Sequence, residues 1–200
     1  MGMARSLMRY IAPSLLGLAV SAAQAANPAP AQTSGQNKPT PEQSAEVFVQ
    51  SFYDWYTGDV QESEKSQPSE HSPEDDALES KRWPLSDEIV KALKADRGPH
   101  PESADEIDSL DFDPFLDAQD DCFPYKAGKV THAGSRYRVE VFSSNCSGPN
   151  PELPSVVAEI EQHDGKWTFV NFIYPRAETD LLSTLKGLKE EREKTKKQPH

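Results

Sequence analysis

Partway along this chain the spacing of apolar residues changes from three-and-four to two, and that switch restricts the folds open to it. Between Glu42 and Asp59, Ala45, Val47, Phe48, Phe52, Trp55 and Tyr56 recur at helical steps. Thr40 before Pro41 reads as an N-cap followed by a first-turn proline, and Gly58 as the stop. A second helix opens at Ser86, buries Ile89, Val90 and Leu93, and ends at Gly98-Pro99; a short helical piece fits Ser103 to Leu110. From Ser135 to Ser143 the pattern alternates, with Tyr137, Val139 and Val141 against Arg136, Arg138 and Glu140. Ser155 to Gln162 and Trp167 to Tyr174 then flank His163-Asp164-Gly165-Lys166, and Asp-Gly between two strand-like runs is a hairpin signal. Pro175 stops that strand, and Glu178 to Glu193 makes a last helix with Leu181, Leu182, Leu185 and Leu188 inward. The order predicts an α+β domain: N-terminal helices packed on a curved antiparallel sheet, with a C-terminal helix.

Residues 1–25 stand outside that pattern. Arg5 and Arg9, the apolar run Ile11 to Val20 and the small-x-small tripeptide Ala23-Gln24-Ala25 have the layout of a cleavable export signal. The run is shorter than the about 20 apolar residues of a permanent span, and no cysteine follows to accept a lipid. The expected product is soluble, in the periplasm or outside the cell, without a stable membrane anchor. A tether rich in Pro, Ala, Gln and Thr over 26–41 leads into one domain over 42–194, with a tail over 195–200.

Losing the leader removes two arginines and no acids, which moves the formal charge from −12 to −14. Repulsion from phosphates argues against nucleic acid, while basic proteins, cationic peptides or metal cations suit such a surface, and a basic protein or a small molecule is the expected partner. Half of that charge lies in Asp59 to Ser80, where eight acids face only Lys65. With few apolar residues, 59–80 reads as a solvated acidic loop.

Cys122 and Cys146 are the only cysteines, and in an exported chain an even count predicts a disulfide. They are too far apart for a C-x-x-C redox pair, and no histidine sits at zinc-ligand spacing.

The densest polar stretch is Asp111-Phe112-Asp113-Pro114-Phe115-Leu116-Asp117-Ala118-Gln119-Asp120-Asp121. Asp113 before Pro114 reads as the cap of a short helix that gathers Asp113, Asp117 and Asp120 or Asp121 on one side. Such carboxylates could hold Ca²⁺, but the calcium-loop spacing is missing, so a cap with a solvated face is preferred and no metal or other cofactor is expected. Among the histidines, His132 near a strand end is the one hardest to set aside. No catalytic constellation or phosphate-binding glycine loop is present. Arg136 and Arg138 are expected to pair with Glu140, Glu159 and Glu161 across strands. The aromatic residues Phe48, Phe52, Trp55, Tyr56, Trp167, Phe169 and Phe172 read mostly as core, with Trp55 and Tyr56 able to reach a pocket mouth beside Asp113, Asp117, Asp120 and His132.

Phe52-Tyr53-Asp54-Trp55-Tyr56, Asp113-Pro114-Phe115-Leu116 with Ala118-Gln119-Asp120, and Trp167 to Tyr174 before Leu181-Leu182 and Leu185 together resemble an uncharacterised family of bacterial exported domains, domain of unknown function 3828. The resemblance implies a fold similar to the cone-like nuclear-transport-factor-two shape, and carries no reaction. The chain departs from many members in lacking a lipid-accepting cysteine. The expectation for function is a non-enzymatic binding or interaction domain, in a specific version an immunity-type protein that captures a basic partner. The alternative is a small-ligand or hydrolytic pocket between the first helix and the sheet.

Overall fold

In the second half the period-two residues make a meander. A computed structural model describes residues 38–65, 72–98, 109–119, 122–145 and 152–195. Its strands β1 (Tyr125–Ala133), β2 (Arg136–Ser143), β3 (Val156–His163), β4 (Lys166–Tyr174) and β5 (Thr179–Asp180) lie in chain order in one antiparallel sheet. The β3–β4 turn has Asp164 at φ 51° and Gly165 at φ 76°, the doubly left-handed geometry that Asp-Gly tolerates and that matches strand twist. Residues that alternate inward, among them Val139, Val141, Ala158, Ile160, Phe169 and Phe172, are fully buried.

Helices cover that inner face. α1 (Pro41–Lys65) packs on β1 and β2. Phe52 is its anchor, meeting Phe115, Phe169, Phe172, Tyr56 and Trp83 at ring-centroid distances of 4.8–6.4 Å. Trp167 Nε1 donates to Ser44 Oγ at 2.9 Å, fixing the start of α1 against β4. α2 (Pro73–Glu79) and α3 (Asp87–Asp96) follow, and α4 (Leu181–Thr195) closes the chain. Asp180 caps α4 by accepting from Ser183 N at 3.0 Å, while Asn171 Nδ2 donates to the same carboxylate and ties β4 to the helix. Asp96 and Arg192 form a buried 2.7 Å ion pair between α3 and α4, and Leu110 N donates to the second Asp96 oxygen. None of the described helices is long and apolar enough to cross a membrane.

The α+β architecture follows the sequence reading, with four differences. α1 does not stop at Gly58 but runs on to Lys65, because an interior glycine costs a helix only about 1 kcal/mol. The acidic stretch 59–80 is also largely helical where described. Ser72 and Asp75 form a reciprocal capping box, Pro73 takes the first turn, and Glu74, Asp75 and Asp76 sit where a helix dipole favours acids. Arg97 pairs with Glu74 and Asp75, so the charges that suggested disorder hold α2 in place. β1 has no alternating apolar signal because it is a largely exposed edge strand. Of the short helical piece expected at Ser103 to Leu110, 103–108 lie outside the described residues, and Ser109 and Leu110 are not helical.

Candidate functional site

Asp113 does cap the residues after it, but no helix follows. Its Oδ1 accepts from Phe115 N at 2.8 Å and Leu116 N at 3.1 Å. The chain then folds back, with Asp113 N donating to Ala118 O at 2.9 Å and Asp117 held at φ 52°. That left-handed residue ends the turn after one cycle, which an aspartate tolerates better than a branched side chain would.

Tyrosine hydroxyls serve this loop from every side. Tyr174 of β4 donates to Pro114 O at 2.8 Å, Tyr53 of α1 to Phe115 O at 2.8 Å, and Tyr125 of β1 to Leu116 O at 3.3 Å. Tyr56 of α1 donates to Asp113 Oδ2 at 2.7 Å. A loop whose residues 114–116 are buried must satisfy its carbonyls without water, and three successive ones are met by rings from three different elements. The loop is thereby fixed relative to both the helix layer and the sheet.

The carboxylates here are electrostatically costly. Burial pushes Asp113 up to about 6, against the hydrogen bonds from Tyr56, Phe115 and Leu116 that favour its charged form. Burial likewise pushes Asp117 up to about 6, and the Arg176 guanidinium offsets this only in part. The Tyr53 and Tyr56 hydroxyls are raised well above their ordinary value by burial, with nearby acids adding to it, so both remain donors.

Asp117 faces a cavity of about 410 Å³ between the loop, the start of β1 and the β4–β5 turn. Gln119, Tyr125, Ser143, Ser155 and Arg176 also line it. Asp113 spends both oxygens on protein donors, whereas the Asp117 carboxylate makes no hydrogen bond with the described residues. A partly buried, unbonded carboxylate at a polar cavity can take a cationic group. Among the described residues no cluster of three or more His, Cys, Asp or Glu could hold a metal ion.

The candidates named from sequence therefore separate. Tyr56, Asp113 and Asp117 come together, although Tyr56 and Asp113 serve the loop rather than the cavity. Trp55 lies partly buried against Trp83, ring centroids 6.3 Å apart, as core. His132 is exposed near the far end of β1, its ring tilted against Tyr137 with centroids 4.4 Å apart. Seven residues of strand separate it from Tyr125, or about 23 Å at roughly 3.3 Å per residue, so it joins no common site with Asp117. Asp120 and Cys146 lie outside the described residues, and Cys122 is buried at the cavity wall. Arg136 and Arg138 pair with Glu159 and Glu161 at 2.7–2.9 Å, as cross-strand spacing implies. Sequence reasoning missed Arg176 and the clamping roles of Tyr53, Tyr125 and Tyr174, whose shared target is set by tertiary packing alone.

No protein-family model, curated protein or solved structure matches this chain.

Proposed function

We propose that this chain is an exported, non-enzymatic binding domain that captures a cationic group, on a basic protein or a small molecule, at Asp117. The observation that carries it is the contrast between two neighbouring carboxylates: Asp113 has its oxygens occupied, and Asp117 keeps its own toward the cavity. A two-carboxylate hydrolase needs both groups turned toward substrate, so the occupied state of Asp113 favours binding over hydrolysis. The formal charge, −12 for the whole chain and −14 without the leader, adds long-range attraction for a basic partner. An immunity-type role and the resemblance to exported domains of unknown function belong to the same proposal. The test is isothermal calorimetry with lysine ethyl ester and with a lysine-rich peptide, at low and high salt. Binding that weakens with salt and falls about tenfold or more in Asp117→Asn supports the reading; binding equal in the variant, or none, refutes it.

Export brings a disulfide with it. The β1–β2 register pairs Tyr125 with Ser143, Lys126 with Phe142 and Ala127 with Val141, and Ser144 N donates to Pro124 O. In sequence Cys122 lies three residues before Tyr125 and Cys146 three residues after Ser143, a spacing that supports a bridge between them. Mass spectrometry of an unreduced digest should return the linked peptides from protein recovered outside the cytoplasm; free thiols there would contradict both export and bridge.

A further inference from the structure

The opposite charge gathers at a second place in the fold. α3 and α4 leave between them a groove of about 400 Å³, separate from the Asp117 cavity. Its floor is apolar, from Ala92, Leu182 and Leu185, and its edges carry Lys91 from α3 with Lys186 and Lys189 from α4. Helix-dipole compensation accounts for cations in a last turn, where Arg192 and Lys194 sit, but not for Lys186 and Lys189 in the middle of α4. Lys186 and Lys189 are 77% and 68% exposed and reach Glu190 and Glu193 only at 3.9 and 4.0 Å, pairs of little strength. Lys91 forms no ion pair with the described residues. Arg192 is neutralised by Asp96, and Glu88 is the one acid among the described lining residues, so the groove is net positive on a chain that is strongly negative.

We infer that this groove binds a fatty carboxylate, its tail along Ala92, Leu182 and Leu185 and its head among Lys91, Lys186 and Lys189. An apolar floor with cations from two helices at its rim matches an anionic amphiphile in both charge and polarity. The volume lies within the range of small-molecule sites. The lysines are exposed and carry little of the fold, so they can be changed without disturbing it.

The test is calorimetric titration of the protein with monomeric dodecanoate, beside dodecyltrimethylammonium, which keeps the tail and reverses the head, and acetate, which keeps the head alone. Dodecanoate should bind, both comparison compounds should bind at least about tenfold more weakly, and the Lys91→Glu, Lys186→Glu, Lys189→Glu combination should lose at least about tenfold in affinity. If that combination melts early, Lys186→Gln alone, with amide shifts mapped on Leu182 and Leu185, gives the same reading. Equal binding of the two twelve-carbon compounds, amide shifts elsewhere, or binding to anionic vesicles without binding to monomeric dodecanoate overturns the inference. His132→Ala, at an exposed position outside the groove lining, serves as the control that keeps this groove intact.

Discussion

Two polar networks in this molecule use carboxylates in opposite ways. On the open face of the sheet, Glu159 bridges Arg136 and Arg138 while Glu161 holds Arg136 and His163, and the arginines stay about half exposed to water. Around Asp113 no cation among the described residues makes direct contact: a carboxylate is satisfied by a tyrosine and two amides in a buried loop. The Arg136 and His163 hydrogen bonds hold Glu161 below its ordinary range, whereas burial drives Asp113 above it. Charge stabilises the first network and strains the second, so the two respond to pH with opposite sign.

The largest effect should come from the aromatic packing beneath the buried network. Phe52→Ala empties the centre of the α1–sheet contact and should lower unfolding free energy by about 3–5 kcal/mol in urea titrations. Asp113→Ala strands the Tyr56 hydroxyl and two amides, for about 2–4 kcal/mol. Asp113→Asn instead keeps an acceptor without the charge, and it sharpens the pH contrast. A folded value of about 6 against an ordinary 3.8 means the native state binds more protons in that window. Stability from this group is therefore gained as pH falls from about 6 toward 4 and lost on the way back, on the order of 3 kcal/mol at 1.36 per unit shift. Urea unfolding at several pH values should show that rise in the parent and a flatter curve in Asp113→Asn. Glu161 has the reverse sign: its stabilisation is complete above its ordinary value and disappears as pH falls through its lowered one. Tyr53→Phe removes one clamp, leaving the Phe115 carbonyl unmet, for about 1–2 kcal/mol. Glu159→Gln should cost least, about 1 kcal/mol, because glutamine keeps an acceptor in that buried position and the arginines it releases are half exposed. A Glu159→Gln loss larger than that of Asp113→Ala would break the comparison.

The sheet was legible because its strands alternate and Asp164-Gly165 specifies a turn; the arginine and glutamate pairs follow from cross-strand spacing alone. The loop was legible only locally. Asp113-Pro114 announced a cap, but the fold-back at Asp117 depends on Tyr53, Tyr125 and Tyr174 arriving from elements up to 62 residues away in sequence. β1 escaped notice because an edge strand has little apolar alternation to display, and α2 because its acids were counted as charge rather than as cap and dipole partners. The Asp117 cavity has no sequence signature, since Arg176 reaches it only through the ending of β4.

The central claim is that Asp117, not Asp113, offers a charged carboxylate to a cationic partner. The direct measurement is the affinity for lysine ethyl ester as a function of pH in the parent and in Asp117→Asn. With Asp117 raised to about 6, binding should be strong near pH 8 and fall as pH drops through about 6, and the variant should bind weakly with no such step. A parent affinity flat across that range, or the same step in the variant, would contradict the account.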